Sequence, residues 1–169
     1  ELHMSPALIG LAFSLGSVGG LVASLVAGPL SRRFGVGRVI VATVALGGPL
    51  EFAVGFGSAG ADALNLALIA AAGFAMGGSG TIYNINQVSL RQALTPAAMA
   101  GRMNATMRWF VWGTIPIGSL IGGIIGETLG LRAAILIGGV GASLAFIPLL
   151  FGPVWRIKEM PTTEEAPRT

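Results

Sequence analysis

Residues 84–123, NINQVSLRQALTPAAMAGRMNATMRWFVWGTIPIGSLIGG, decide how this chain is read. A polar, basic segment carrying Arg91, Arg102 and Arg108 lies between two long apolar runs. It passes into a stretch that opens on aromatics and continues in glycines. Thr95-Pro96 has the form of a helix start, with a hydroxyl residue followed by proline at the first helical position. Arginines gathered between two apolar runs are the pattern of a cytoplasmic loop joining membrane spans.

Composition points the same way. Apolar residues make up 53% of the 169 and charged residues only 10%, with a mean hydropathy of +0.80. A soluble domain carries about 25% charged residues. The 27 glycines suit helices whose backbones approach closely in lipid. The expected fold class is therefore an all-α integral membrane protein. The absence of cysteine removes disulfides and thiolate metal sites, and the single histidine, His3, forms no cluster, so no metal or cofactor is expected. No nucleophile–base pair or phosphate loop is present, and GVGR at 35–38 is too short for dinucleotide binding, so no catalytic residues are expected. Seven acidic residues against ten basic ones give a net charge of +3, and the basic residues are scattered between apolar runs. They read as topology determinants facing membrane lipid, with no nucleic acid as partner.

Outward from the connector, five spans are predicted at about 7–30, 39–57, 64–88, 107–129 and 133–151. The first has no charge from Ala7 to Leu30, about 36 Å of helix, and carries Gly16 and Gly20 on one face. The second holds a potential kink at Gly47-Gly48-Pro49, and the fourth has Gly118, Gly122 and Gly126 at spacing four. A short interfacial connector helix is predicted over about 96–104, and residues 159–169 read as a flexible cytoplasmic tail. With five spans, Arg32, Arg33, Arg38, Arg91, Arg102, Arg108, Arg156, Lys158 and Arg168 share one side, and only Arg132 lies on the other. The positive-inside rule puts residue 1 outside and the C-terminus in the cytoplasm. ELHMSP lacks the basic opening of a signal peptide. The chain is expected to be a piece of a longer one, with one preceding helix completing a six-helix half-bundle.

In that frame the chain resembles the major facilitator superfamily. The family's signature loop, G-x-L-x-D-R-x-G-R, is matched by Gly28, Leu30, Arg33 and Gly35, with Arg38 nearby; Arg32 stands at the aspartate position. The connector is similar to that of drug and siderophore exporters related to the enterobactin exporter. The matching positions are Arg91, Gln92, Thr95, Pro96, Gly101, Arg102, Asn104, Arg108, Gly113, Pro116, Gly118, Gly122 and Gly123. The resemblance runs from Ser5 to about Phe151 and implies helices eight to twelve of a twelve-helix transporter. It implies proton-driven efflux of a small amphipathic substrate across the bacterial cytoplasmic (inner) membrane, completed by the missing N-terminal half of the same chain.

From the resemblance, substrate-cavity candidates are Phe13, Ser14, Ser17, Met76, Ser79, Tyr83, Trp109 and Trp112. An aromatic and methionine lining suits bulky amphipathic molecules, whereas the tryptophans also fit an interfacial belt. Arg33, Arg91, Arg102 and Arg108 are cytoplasmic gating-loop candidates, pairing either with acids of the other half or with lipid phosphates. Glu51, inside an apolar run, is the proton-carrying candidate, and its alternative role is structural or interfacial. Against the exporter stands a non-transporting five-span membrane scaffold or assembly partner.

Overall fold

The structure, a computed structural model, describes residues 6–55 and 62–160. Among the described residues all regular structure is helical. Helix α1 runs Pro6–Phe34, α2 Val36–Gly55, α3 Asp62–Leu94, α4 Ala100–Leu129, α5 Leu131–Leu144 and α6 Ile147–Phe151, with 3-10 turns at Ala97–Met99 and Pro153–Arg156. Four segments are long and apolar enough to cross a membrane: Phe13–Phe34, Leu66–Leu94, Ala97–Leu129 and Leu131–Phe151. The described part of α2 adds a shorter apolar stretch, Val36–Gly47. The fold is the all-α membrane architecture expected from the composition.

Helix ends follow backbone chemistry more than hydropathy. α1 continues through Arg32 and Arg33 and stops only at Gly35, whose φ of 92° lies in the region that other residues avoid. Gly130, at φ 89°, makes the corresponding one-residue break between α4 and α5. Pro29, Pro49 and Pro116 lie inside helices without ending them. Pro148 has no N–H to give to the carbonyl of Leu144, and the fifth span is divided there into α5 and α6. The connector differs from the separate helix predicted over about 96–104. Thr95 Oγ1 donates to the Arg91 carbonyl, so it closes α3 instead of capping a new helix. Pro96 is extended, Ala97–Met99 forms one 3-10 turn, and α4 then runs unbroken from Ala100. Gly101, Arg102 and Asn104 thus belong to the start of the fourth span, because nothing between Asn104 and Met107 interrupts the helical hydrogen bonds.

The helices contact one another in the order α1, α3, α2, α5, α4. The α1–α3 seam is the closest. A Cβ placed on Gly19 would lie 2.1 Å from the Phe74 carbonyl oxygen, and one on Gly77 2.2 Å from that of Gly16. Gly16 and Gly20, the predicted small-residue face, both meet α3 here. Nearer the end of α1, Ser31 and Asn86 are buried and joined by a hydrogen bond from Ser31 Oγ to Asn86 Oδ1; Asn86 Nδ2 donates to the Ile82 carbonyl. By contrast, Gly118 and Gly122 of α4 have open space where a Cβ would go, and no residue of α4 is buried.

The segment after α6 folds back onto α2. Val36 and Gly37 donate their N–H groups to the carbonyls of Lys158 (3.3 Å) and Ile157 (2.9 Å). These are first-turn donors that the helix itself leaves unpaired. Val154 and Ile157 pack against a small core of Val36, Ile40 and Leu90, and the Arg38 guanidinium lies 5.5 Å from the centre of the Trp155 ring. A Cβ on Gly37 would fall 1.8 Å from the Val154 carbonyl oxygen.

These contacts predict the effect of small substitutions. Gly19→Ala should lower stability in detergent by about 1–3 kcal/mol through overpacking against backbone. Gly80→Ala, where nothing lies within 4 Å, should be neutral or slightly stabilising; equal melting curves for the two variants would contradict the seam. Gly37→Ala should lift the 153–158 segment and speed tryptic cleavage after Arg156 and Lys158 by about tenfold, the equivalent of losing one to two net hydrogen bonds. Unchanged digestion would show that the segment does not depend on this approach.

Candidate functional site

Three concave regions border the candidate residues. The first is a groove of about 490 Å³ between α1, α2 and α3, lined almost wholly by apolar groups, with Ser79 and Arg38 at its edges. The second is a broad, open groove of about 730 Å³ along one side of α4, bordered by Gly101, Asn104, Arg108, Trp109, Trp112 and Gly113. The third lies between α3 and α4. It has a volume of about 490 Å³ and is lined by Tyr83, Asn84, Gln87, Val88 and Arg91 from one helix and Asn104, Met107, Arg108, Val111 and Trp112 from the other.

The third region is the most polar, and the helical period builds it. Tyr83, Gln87 and Arg91 step by four residues along α3, and Asn104, Arg108 and Trp112 do the same along α4. Side chains four apart share a helix face. The turn at Ala97–Met99 folds the two faces toward each other, so that Arg91 and Asn104 lie nearest the connector by chain position and Tyr83 and Trp112 farthest. Tyr83 to Arg91 is about 12 Å along a helix axis at ~1.5 Å per residue. Two guanidinium groups, three carboxamides, a phenol and an indole therefore line one pocket, and among the described residues no carboxylate does. Arg91 Nε is buried and finds no acceptor among the described residues.

The predicted site residues divide among these places. Tyr83, Trp112, Arg91 and Arg108 come together in the α3–α4 pocket, and Trp109 stands on the open side of α4, 76% exposed. Ser79 borders the apolar groove and donates its hydroxyl to the Met76 carbonyl. Phe13, Ser14 and Ser17 lie on an exposed face of α1 away from all three regions. Both serine hydroxyls are turned back onto their own helix, toward Gly10 and Phe13 carbonyls. Arg33 stacks its guanidinium 5.4 Å from the Phe34 ring centre at the end of α1, and Arg102 is exposed on the first turn of α4. Glu51 belongs to α2, but its side chain lies outside the described residues.

The sequence places Asn84 and Gln87 only within the polar segment that opens the connector, and Asn104 only at a motif position. Their four-residue spacing to Arg91, Arg108 and Trp112 is the signal that could have placed them on facing surfaces. Among the described residues no group of His, Cys, Asp or Glu is arranged to hold a metal. The arrangement offers hydrogen-bond donors, two positive charges and aromatic faces to one bound molecule.

Comparison with known proteins agrees with that architecture. No curated protein and no solved structure matches the chain. The family model described as Major Facilitator Superfamily matches residues 1–168. With its apolar helices, its glycine-lined helix seam and its degraded signature loop, this chain is an integral membrane protein of the major facilitator superfamily, a family of transporters of small molecules.

Proposed function

We propose that these residues form helices eight to twelve of a twelve-helix exporter that moves a small amphipathic molecule, of drug or siderophore class, out of the cell at the expense of the proton gradient. The α3–α4 pocket is the observation that carries the reading. It pairs aromatic faces with polar groups at the connector end, the mixture an amphipathic molecule requires. The connector similarity to drug and siderophore exporters supports the direction of transport. The excess of arginine and lysine on one side supports a C-terminus in the cytoplasm and residue 1 outside, in the bacterial inner membrane.

The contact order supports a partner from the same chain. α1 and α4 stand at the two ends of the series and α4 buries none of its residues, so a further helix between them would close the ring. The other half of the transporter would then cover the open side of α4 that carries Trp109. Arg33 and Arg102, exposed at helix ends, are placed to meet acidic groups or lipid phosphates as the halves rock. Glu51, a carboxylate within an apolar run of α2, is the proton-carrying candidate.

The test uses the complete natural gene in cells stripped of their own exporters, with accumulation of the uncharged amphipathic dye Nile red as readout. Expression should lower accumulation several-fold, a protonophore should restore it, and Trp112→Ala should remove most of the effect through loss of aromatic contact area. Glu51→Gln should abolish energised export while Nile red binding to purified protein persists. Accumulation unchanged by the gene would sink the exporter reading and leave the membrane scaffold.

A further inference from the structure

The pocket between α3 and α4 has a ligand chemistry of its own. Among the described residues, Arg91 and Arg108 bring its only formal charges, both positive. Neither is ion-paired among the described residues, and Arg91 Nε is buried without an acceptor. A donor left unmet in such a setting is costly, and a guanidinium fork matches carboxylate or phosphate oxygens two at a time. Gln87 and Asn104 stand beside the arginines with amide N–H groups, which suit the remaining oxygens of the same anion. Toward the middle of the helices the lining changes to Tyr83 and Trp112, which offer flat apolar area to whatever the anion is attached to.

The geometry points to this pocket as a binding site for a small organic anion, a carboxylate or phosphate joined to an aromatic or alkyl body, held by Arg91 and Arg108. The volume of about 490 Å³ is that of a small-ligand site. The inference rests on the transporter reading for its role, since it names the substrate class of the same pocket. The phosphate of an anionic phospholipid has the same head chemistry, and it is the second source to separate.

Binding of 2-naphthyl phosphate to the complete natural chain in nanodiscs, measured by calorimetry, tests it without transport. In phosphatidylcholine discs the wild type should bind saturably, and 2-naphthol, which lacks the anion, should bind at least about tenfold more weakly. Arg91→Gln and Arg108→Gln should each weaken naphthyl phosphate by about tenfold or more, while Arg156→Gln, outside the pocket, should not. Repeating the titration with phosphatidylglycerol in the disc separates the sources. Competition there identifies a lipid headgroup as occupant of the anion site, and its absence identifies a free organic anion. No saturable binding by folded wild type, or equal binding of naphthol and naphthyl phosphate, overturns the site even if the arginine variants do not fold. Nile red export without this binding sinks the anion site alone, and binding without export sinks the exporter alone.

Discussion

The contact on which the rest of the structure depends is backbone against backbone between α1 and α3. In lipid there is no hydrophobic gain in bringing two apolar helices together, so association relies on close packing and a few hydrogen bonds. Gly16, Gly19, Gly73 and Gly77 remove the side chains that would hold the axes apart, and carbonyl oxygens take their place in the seam. The Ser31–Asn86 bond then pins the register of the pair near one end. A sliding motion would strand both polar groups among apolar neighbours, which is costly in a medium without water.

α2 is the hub of the remaining bundle. It touches α3 on one side and α5 on another, and its first turn is closed by carbonyls of Ile157 and Lys158. The aligned peptide dipoles make a helix N-terminus favourable for such oxygens. This joins the one-residue break at Gly35, within the family's signature loop, to the segment that comes after the last span. Arg32 replaces the acidic residue of that loop, and the organising contact found here is instead backbone to backbone, with Arg38 resting over Trp155. A loop that has lost its carboxylate is thereby still held in place.

The α3–α4 hairpin carries the function-bearing chemistry. A guanidinium N–H that is buried without an acceptor, as at Arg91 Nε, is costly. Here two arginines share a pocket lined by amides and aromatics and, among the described residues, by no acid. That imbalance separates the hairpin from the apolar groove between α1, α2 and α3, where almost nothing polar is exposed.

Much of the fold was legible in the residues. Long uncharged runs mark spans whatever their neighbours, because the hydrocarbon core accepts only satisfied, apolar helices. The Gly16–Gly20 face announced a close neighbour for the same local reason. The limits of the helices were less visible, since hydropathy reports the surroundings of a residue while a helix ends where a glycine, a proline or a side-chain bond stops its ladder, as at Gly35, Pro96 and Thr95. The resemblance also grouped Phe13, Ser14 and Ser17 with Tyr83 and Trp112, whereas in the structure they lie apart. Which candidates meet depends on the angle at which one helix faces another. That angle comes from the turn at Ala97–Met99 and from the packing of the whole bundle, and no single stretch of sequence encodes it.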